Sequence, residues 1–210
     1  MMRAQGGFHS NPPNGFKDPM EWTFGYRFFD FFAVNEEHRK AFNDYMSARR
    51  EGYQLQWFDI FPIHERIAGI QNPDGVLVCD VGGGHGHELV KFSERFPDAK
   101  GRLVLEDLDS TFEGLSLPAE IKVISHDFFQ PQPQEASGAS FYYMRQIMHD
   151  WSDDECRKIL GHLVHAMDPA RSRLLIDDYV MPPTNAEFRA IHMDVCMMMY
   201  LRSEERTERR

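Results

Sequence analysis

Residues 76–86 read VLVCDVGGGHG, and this stretch decides the fold. A mainly apolar run, Val76–Val81, leads directly into the glycine-rich turn Gly82–Gly86, and an amphipathic stretch follows. This order is typical of a strand, a tight turn and a helix at the start of an open α/β sheet. Such sheets bind ligands at the carboxyl ends of their strands, so the turn is a candidate ligand site.

The spacing of the glycines indicates which ligand the turn could bind. A dinucleotide site needs GxGxxG, but the last position falls on His87 when the count starts at Gly82 and on Leu89 when it starts at Gly84. The GxGxG spacing that does fit, preceded by Asp80, suits a ligand without a pyrophosphate, such as S-adenosylmethionine (SAM). Glycines allow close backbone approach, and we expect their N–H groups to face the ligand. A tight turn that binds no ligand is the alternative.

Residues 71–210 continue with the pattern of a parallel sheet. Four further runs are nearly continuous in apolar residues, which predicts strands covered on both faces: Arg102–Leu105, Ile121–Ser125, Ser140–Arg145 and Arg173–Tyr179. Helices are predicted over Glu88–Phe96, over Asp153–Met167 after the cap Ser152, and over Ala186–Leu201. We therefore predict an α/β domain with about five parallel strands over residues 71–210.

Residues 1–70 have a different pattern and are predicted as a helical region. A helix is predicted over Glu36–Arg50, which Asn35 can cap and which places Phe42, Tyr45 and Met46 along one side. A second helical stretch is predicted around Trp57–Ile67. The aromatic doublets within 28–32 add more apolar surface than this segment could bury alone, so something must cover it.

Composition excludes several functional classes. The formal net charge of −10 without a basic patch argues against nucleic acid as a partner. No apolar run approaches the roughly 20 residues that span a membrane. Three cysteines without CxxC spacing and an N-terminus without an apolar signal segment predict a cytoplasmic protein. His85 and His87 form an HxH pattern without a third ligand nearby, so no metal site is predicted.

The second predicted strand ends in Glu106-Asp107-Leu108. This is roughly the offset at which a carboxylate can reach the ribose hydroxyls of a nucleoside bound at the first turn. Asp107 is the preferred candidate, with Glu106 as its rival. The alternative for either residue is a solvated loop carboxylate.

Three further stretches carry a family resemblance: residues 126–129 (HDFF), 145–153 (RQIMHDWSD) and 204–207 (EERT). With VCDVGGGHG, GRLVLEDL and LLIDDYVMP, they resemble the caffeate/flavonoid-type O-methyltransferases, particularly the fungal branch that modifies polyketides and other secondary metabolites. The resemblance runs from about Gly15 to Arg210. It implies a Rossmann-like class I methyltransferase sheet, with SAM as cofactor, preceded by a helical dimerisation region.

Members of this family are longer at both ends, so we expect a truncated chain. Only the last helices of the dimerisation region, at about 21–69, match. The missing strands would leave Arg173–Tyr179 as an exposed apolar edge, which is an aggregation hazard.

The resemblance also implies roles for individual residues in holding the cofactor. The glycine turn would contact the methionine part, the acid after the second strand the ribose, and the pair after the third strand the adenine. A basic residue four before the catalytic histidine would also contact the cofactor. In this sequence these positions, with the acid before the turn, are Asp80, Gly82, Gly84, Asp107, Leu108, Asp127, Phe128 and Arg145.

His149 matches the general base of the family, and Asp178 and Glu205 match the two acids that hold it. A phenol has a pKa near 10 and is a poor nucleophile at neutral pH, so a positioned base is needed. We expect Asp178 to hold the far ring nitrogen of His149, with Glu205 assisting. Asp150 is predicted to be a structural residue at the helix entry. The acceptor pocket is expected to be lined by Met193, Met197, Leu201, Phe42 and Met46.

The sequence therefore predicts an O-methyltransferase that methylates a hydroxyl of a small aromatic or polyketide-like secondary metabolite. One alternative is an inactive or non-methylating, cyclase-like member that keeps SAM. Another is an association subunit for a full-length relative. We expect a homodimer or association with a related chain.

Overall fold

The structure is a computed structural model, and it describes residues 17–51, 55–68, 70, 74–99 and 101–209. These residues form two compact units. The first comprises the described residues up to Phe42, together with Gln146–Lys158 and Asp178–Arg210; the second comprises Asn43–Arg145 and Ile159–Asp177. Neither unit is a continuous segment, and the helical region predicted over 1–70 is divided between them.

The second unit contains a five-stranded, all-parallel sheet, as predicted. Its strands are β1 (Val76–Val81), β2 (Arg102–Asp107), β3 (Ile121–Ser125), β4 (Phe141–Arg145) and β5 (Arg173–Asp177). Their order in the sheet is β3-β2-β1-β4-β5, and every neighbouring pair is parallel. The chain therefore changes direction across the sheet between β1 and β4, where open α/β sheets form their ligand crevice.

Eight α-helices are found in the described part of the chain. They are α1 (Pro19–Phe24), α2 (Phe28–Val34), α3 (Glu36–Glu51), α4 (Trp57–Ile60), α5 (Ile63–Ile67), α6 (His87–Arg95), α7 (Asp153–Ala166) and α8 (Phe188–Tyr200). The stretch predicted as one helix around Trp57–Ile67 is two short helices, because Phe61 is extended and Pro62 cannot donate a helical hydrogen bond. The cap predicted at Ser152 is confirmed: its hydroxyl donates to the Glu155 carboxylate at 2.7 Å and accepts from the Glu155 N–H at 3.4 Å.

The core of the second unit is aromatic. All six residues of β1 are buried. The indole of Trp57 stacks on the ring of Tyr143 at 4.7 Å and on that of Phe92 at 5.5 Å, joining α4, β4 and α6. Aromatic pairs at these distances add to the stabilisation from burial alone.

The prediction that every strand is covered on both faces is wrong for β3 and β5. Only Ile121 is buried in β3, and none of the residues of β5 is. Val123 is 39% exposed and Ile176 is 49% exposed. These two strands are the edges of the sheet. The edge position of β5 agrees with the exposed edge expected at Arg173–Tyr179, whereas the sequence did not indicate that β3 is the other edge.

The first unit buries part of its aromatic surface within itself. The ring of Phe28 meets the rings of Phe32 at 4.8 Å, Phe42 at 5.5 Å and Tyr200 at 5.9 Å. Phe29 stacks on Trp151 at 5.6 Å. The aromatic doublets predicted to need a cover therefore pack partly on one another and on the α8 end.

Candidate active site

The glycine turn after β1 needs its glycines for two different reasons. Gly82, Gly84 and Gly86 have φ values of 71°, 62° and 72°, which residues with a Cβ adopt only at a cost. Gly83 is required for space instead, since a Cβ there would lie 2.5 Å from the Asp80 carboxyl and from Leu105. Asp80 itself is 1% exposed, and its carboxyl occupies the space next to Gly83.

The expectation that the N–H groups of the turn face a ligand is wrong for four of them. Those of Gly82 and Gly83 donate to the Glu106 carbonyl at 2.8 and 3.1 Å, and that of Gly86 donates to the Gly83 carbonyl at 3.1 Å. The N–H of Gly84 donates to Oδ2 of Asp107 at 2.8 Å. The turn is therefore fastened onto the end of β2. Gly82 and Gly84 stay partly exposed, so what the turn offers a ligand is close backbone approach.

The end of β2 distinguishes between the two candidate acids. Glu106 is 1% exposed, and its Oε2 accepts from Nε2 of Gln132 at 2.5 Å. Asp107 is partly exposed, and its Oδ1 accepts from the Leu108 N–H at 2.7 Å and from the Thr111 hydroxyl at 2.8 Å. Because a carboxylate has about four lone-pair positions, Asp107 can accept further hydrogen bonds from a ligand. Asp107, not Glu106, is accessible.

Burial gives Glu106 an unusual charge state. Loss of hydration raises its pKa from 4.5 to about 7, against the hydrogen bonds from Gln132 and Cys79, which lower it. The carboxyl of Glu106 is therefore neutral in a substantial fraction of molecules at neutral pH. The backbone carbonyl of the same residue accepts the hydrogen bonds from the glycine turn.

The end of β3 lies beside the end of β2. Asp107 pairs in register with Ser125, and the His126 N–H donates to the Asp107 carbonyl at 2.9 Å. Asp127 and Phe128 follow at once, the first exposed and the second partly buried. The structure thus brings the predicted ribose and adenine residues to one edge of the sheet, next to the glycine turn.

Arg145, at the end of β4, contacts two acids. Its guanidinium forms an ion pair with Glu88 of α6, and its Nε lies 3.5 Å from Oδ2 of Asp177 at the end of β5. The hydroxyl of Tyr143 donates to the same Asp177 oxygen at 2.6 Å. Arg145 is only 11% exposed and Glu88 only 2%. Sequence reasoning missed Glu88 and Asp177.

In the first unit, His149 is buried among carboxylates. Its Nδ1 lies 2.8 Å from Oε1 of Glu205, and its Nε2 lies 3.3 Å from Oδ1 of Asp150. The carboxylate of Asp178 accepts from the backbone N–H of His149 at 3.2 Å. The predicted order of the two supporting acids is therefore reversed: Glu205 holds the ring nitrogen and Asp178 holds the main chain. Asp150, predicted to be structural, lies against the other ring nitrogen.

This environment changes the acidity of His149. Burial lowers its pKa, but the hydrogen bond with Glu205 and the charges of Asp150 and Asp178 outweigh burial and raise the pKa from 6.5 to about 9. The imidazole is therefore mostly protonated at pH 7.

The segment that carries Glu205 is fixed by its own neighbours. The Glu205 N–H donates to Oδ1 of Asp194 at 2.9 Å. The guanidinium of Arg206 donates to the carbonyls of Met148 at 2.6 Å and Trp151 at 2.7 Å, on either side of His149, and lies 3.0 Å from Asp153. Arg206 thus ties Glu205 to the His149 segment. In the sequence, the only indication that Arg206 has this role was its position next to Glu205 in the EERT stretch.

The residues predicted to line an acceptor pocket differ in burial and in the unit to which they belong. Met197 and Leu201 are buried at 7% and 8% exposure, and Met193 is partly buried. Phe42 packs in the aromatic cluster of the first unit, stacked on Phe32 at 4.9 Å, whereas Met46 belongs to the second unit. Leu201 lines a cavity of about 60 Å³, with Phe28 and Tyr200 among its other walls. A cavity this small is well below the several hundred Å³ typical of small-molecule sites.

No group of three or more metal-ligating side chains occurs among the described residues. His87 instead has its Nε2 3.1 Å from the hydroxyl of Ser47. None of the helices in the described ranges is long and apolar enough to cross a membrane.

The decisive comparison is with protein-family models. The model of the O-methyltransferase domain matches residues 14–210. The chain belongs to this O-methyltransferase family. Its α/β sheet is accordingly the Rossmann-like sheet of class I methyltransferases.

Two fungal relatives are similar to this chain over most of its length. The chain is 36% identical to methyltransferase cfoC of Aspergillus candidus, over 99% of this chain and 51% of that protein. It is 37% identical to demethylsterigmatocystin 6-O-methyltransferase stcP of Emericella nidulans, over 81% of each protein. The chain thus spans about half the length of cfoC.

Solved structures give the same match in three dimensions. LepI in complex with SAM and a pericyclic reaction enzyme are each 31% identical to the chain, with TM-scores of 0.83; the matches cover 92% and 91% of this chain and 50% of each of those chains. OxaC in complex with sinefungin and meleagrin is 28% identical, with a TM-score of 0.80 over 91% of this chain and 49% of that one.

Proposed function

We propose that this chain is an O-methyltransferase that uses SAM to methylate a hydroxyl of a small aromatic or polyketide-like secondary metabolite. The observation that carries the proposal is the buried His149, held by Glu205 on one ring nitrogen. The relative named demethylsterigmatocystin 6-O-methyltransferase and the OxaC complex with sinefungin and meleagrin support the reaction and the class of acceptor.

The carboxyl edge of the sheet in the second unit fits the proposed cofactor. Gly82 and Gly84 would admit the methionine part, Asp107 and Leu108 the ribose, and Asp127 and Phe128 the adenine. Leu108 is 52% exposed, so its side chain is available to the ligand. When bound, SAM supplies an electrophilic methyl group. The similar LepI complex with SAM supports this assignment.

His149 would remove the proton of the acceptor hydroxyl. Because Nδ1 is held by Glu205, Nε2 is the nitrogen that takes this proton. Asp150 lies next to Nε2, so its carboxylate must either move away or remain beside the acceptor hydroxyl. Glu205 stabilises the imidazolium that results, and Asp178 fixes the backbone of the base. The raised pKa of His149 is closer to the pKa of a phenol than the ordinary value is. This smaller difference favours proton transfer once the imidazole is neutral.

The first test separates cofactor binding from base catalysis. Calorimetric titration with S-adenosylhomocysteine should detect binding to the wild type and to His149→Ala alike. Methyl transfer from labelled SAM to a panel of phenols should fall by about 10²–10⁴-fold in His149→Ala. An absence of binding would refute the proposed function, whereas full activity in His149→Ala would refute the role of the base.

A second candidate function is a cyclase-like reaction that keeps SAM without consuming it. The likeness to a pericyclic reaction enzyme, at 31% identity, favours it. The two functions differ in one product: only a methyltransferase releases S-adenosylhomocysteine stoichiometrically with a methylated acceptor.

A homodimer, or association with a related chain, belongs to the same proposal. In the first unit α8 exposes Phe188 at 82% and Ile191 at 47%, and α1 exposes Trp22 at 54%. Exposed apolar surface of this kind is typical of association sites. We propose a cytoplasmic location, since the three cysteines, Cys79, Cys156 and Cys196, are free thiols.

A further inference from the structure

The glycine turn, the end of β4 and the start of α6 meet at the point of the sheet where the strand order reverses. Asp80 of β1 pairs in register with Tyr143 of β4, so Arg145, two residues further along β4, lies level with Gly82 at the start of the turn. The ion pair between Arg145 and Glu88 joins this strand end to the first turn of α6.

The start of α6 has no side-chain cap. Its N-cap residue is Gly86, which has φ of 72° and offers no side-chain hydrogen bond. Glu88 is the acidic residue of the first turn, where its charge also complements the helix dipole. The same turn of helix continues directly from the glycines that would receive the cofactor.

The Arg145 end of the pair is anchored in the core. Its Nε lies 3.5 Å from Asp177, which accepts a hydrogen bond from the Tyr143 hydroxyl at 2.6 Å. The Tyr143 ring stacks on Trp57 at 4.7 Å. Burial and the charge of Asp177 raise the pKa of Tyr143, which keeps its hydroxyl protonated as a donor.

The pair is too buried to be a surface ion pair. Glu88 is 2% exposed and Arg145 is 11% exposed. The second carboxylate oxygen of Glu88, Oε2, is buried without a hydrogen-bond partner among the described residues. A buried ion pair that is incompletely satisfied is a poor source of stability, so its contribution lies in fixing geometry.

We propose that the ion pair between Glu88 and Arg145 sets the place of the glycine turn against β4 and so determines cofactor affinity. Glu88 is a positioning residue, which acts through α6 and through Arg145. This rests on the proposed function for the ligand.

The experiment is a double-mutant cycle read by calorimetry with S-adenosylhomocysteine. Glu88→Gln and Arg145→Met should each raise Kd about 10-fold, and the double variant should be no weaker than either one, because each change removes the same connection. Arg145→Lys should recover part of the loss. With saturating SAM, Glu88→Gln should keep the kcat of the wild type while KM for SAM rises.

Two controls separate positioning from general destabilisation. Glu94→Gln makes the same chemical change at an exposed position of α6, and Ile159→Val lowers stability from a buried position in α7. Neither should alter Kd. Multiplicative losses in the double variant, or an unchanged Kd in Glu88→Gln, would overturn the proposal, the first by showing that the two residues act independently.

Hydrogen exchange of the free chain provides a readout that needs no ligand. Glu88→Gln and Arg145→Met should accelerate exchange of the amides of residues 82–90 by about 10-fold, whereas Glu94→Gln should not. If the wild type does not bind S-adenosylhomocysteine, the proposed function fails and this measurement still decides the inference: unchanged exchange in both variants would refute it.

Discussion

At the scale of single residues, the charge of His149 sets the pH range in which it can act as a base. A base must be neutral to accept a proton, and the pKa of about 9 leaves little neutral imidazole at pH 7. The raised pKa also means that the pairing stabilises the folded state fully below the ordinary value of 6.5. That stabilisation is lost as the pH rises through about 9.

We therefore expect kcat/KM for methyl transfer to rise with pH to a midpoint near the pKa of His149, about 9. Glu205→Gln removes the carboxylate that holds Nδ1, so the midpoint should move to lower pH, with a lower maximal rate. Asp178→Asn is the matched control: its carboxylate accepts from the backbone N–H, and its shift should be smaller. A midpoint that Glu205→Gln leaves unchanged would contradict this assignment.

Glu106 gives a second pH dependence, of stability rather than activity. Its folded pKa of about 7 lies above the ordinary 4.5, so the folded state holds a proton that the unfolded chain has released between these values. Stability should fall from about pH 4.5 to about pH 7 and then stay level. One pKa unit corresponds to about 1.4 kcal/mol, which gives at most about 3 kcal/mol.

Glu106→Gln should remove this dependence because it cannot ionise. Urea unfolding at pH 5 and pH 8 should show the variant gaining on the wild type by up to about 3 kcal/mol at the higher pH. Glu94→Gln, on the exposed side of α6, should follow the wild-type curve. Parallel curves for Glu106→Gln and the wild type would mean that the carboxyl ionises normally.

The structure brings together several of the residues proposed from the sequence, but with contacts that the sequence did not indicate. The strand and its offset from the glycine turn favoured Asp107 over Glu106, and Asp107 is the more exposed of the two. The partner of Nδ1 could not be found in this way. Both acids lie far from His149 in the chain, and the choice of Glu205 depends on the Arg206 hydrogen bonds that fix the EERT segment.

At the scale of elements, two glycines allow the effect of limited space to be measured apart from the effect of backbone conformation. One is Gly83, in the turn after β1, and the other is Gly114. Gly83→Ala would place a Cβ 2.5 Å from Asp80 and Leu105, whereas Gly114, with φ of 73°, has no atom within 4 Å of a Cβ. Gly83→Ala should cost about 1–3 kcal/mol through overpacking and should also weaken S-adenosylhomocysteine binding.

The control for this prediction is Gly114→Ala. It should cost roughly 1–2 kcal/mol through the left-handed backbone alone, with no effect on ligand affinity. Urea unfolding measures the first quantity and calorimetry the second. Equal affinities in Gly83→Ala and Gly114→Ala would show that the packing beneath the turn does not control the site.

Element boundaries followed from the sequence wherever packing is local. The predicted strands agree with β1 and β3 at both ends and with the others to within two residues, because short apolar runs bounded by turn residues are typical of strands. The exposed edge at β5 was expected from the resemblance, but the exposure of β3 was not, since strand order sets which strands lie at the edges. The helix around Trp57–Ile67 was wrong because Pro62 interrupts it.

At the scale of the whole molecule, the division into units could not be obtained from sequence. The first unit is assembled from three separate segments, and two of them, Gln146–Lys158 and Asp178–Arg210, bring His149 together with Asp178 and Glu205. The change of sequence pattern near residue 70 indicates which type of element follows. It does not indicate which distant segments pack together.

The proposed association depends on one face of α8 in the first unit. Phe188, Ile191, Val195 and Met199 are 82%, 47%, 45% and 37% exposed, and their spacing of three and four residues places them along one side of the helix. Solvent contact with such a stripe is unfavourable, so a second copy of the chain should cover it.

Light scattering after size exclusion should therefore give a mass that rises from monomer towards dimer with concentration. Val195→Glu should shift this equilibrium towards the monomer by more than tenfold, because it buries a charge in the contact. Val164→Glu makes the same change on α7 at a residue that is 62% exposed and outside this face, so it should leave the equilibrium unchanged. A wild type that stays monomeric at every concentration, or equal effects of the two variants, would show that α8 is not the contact.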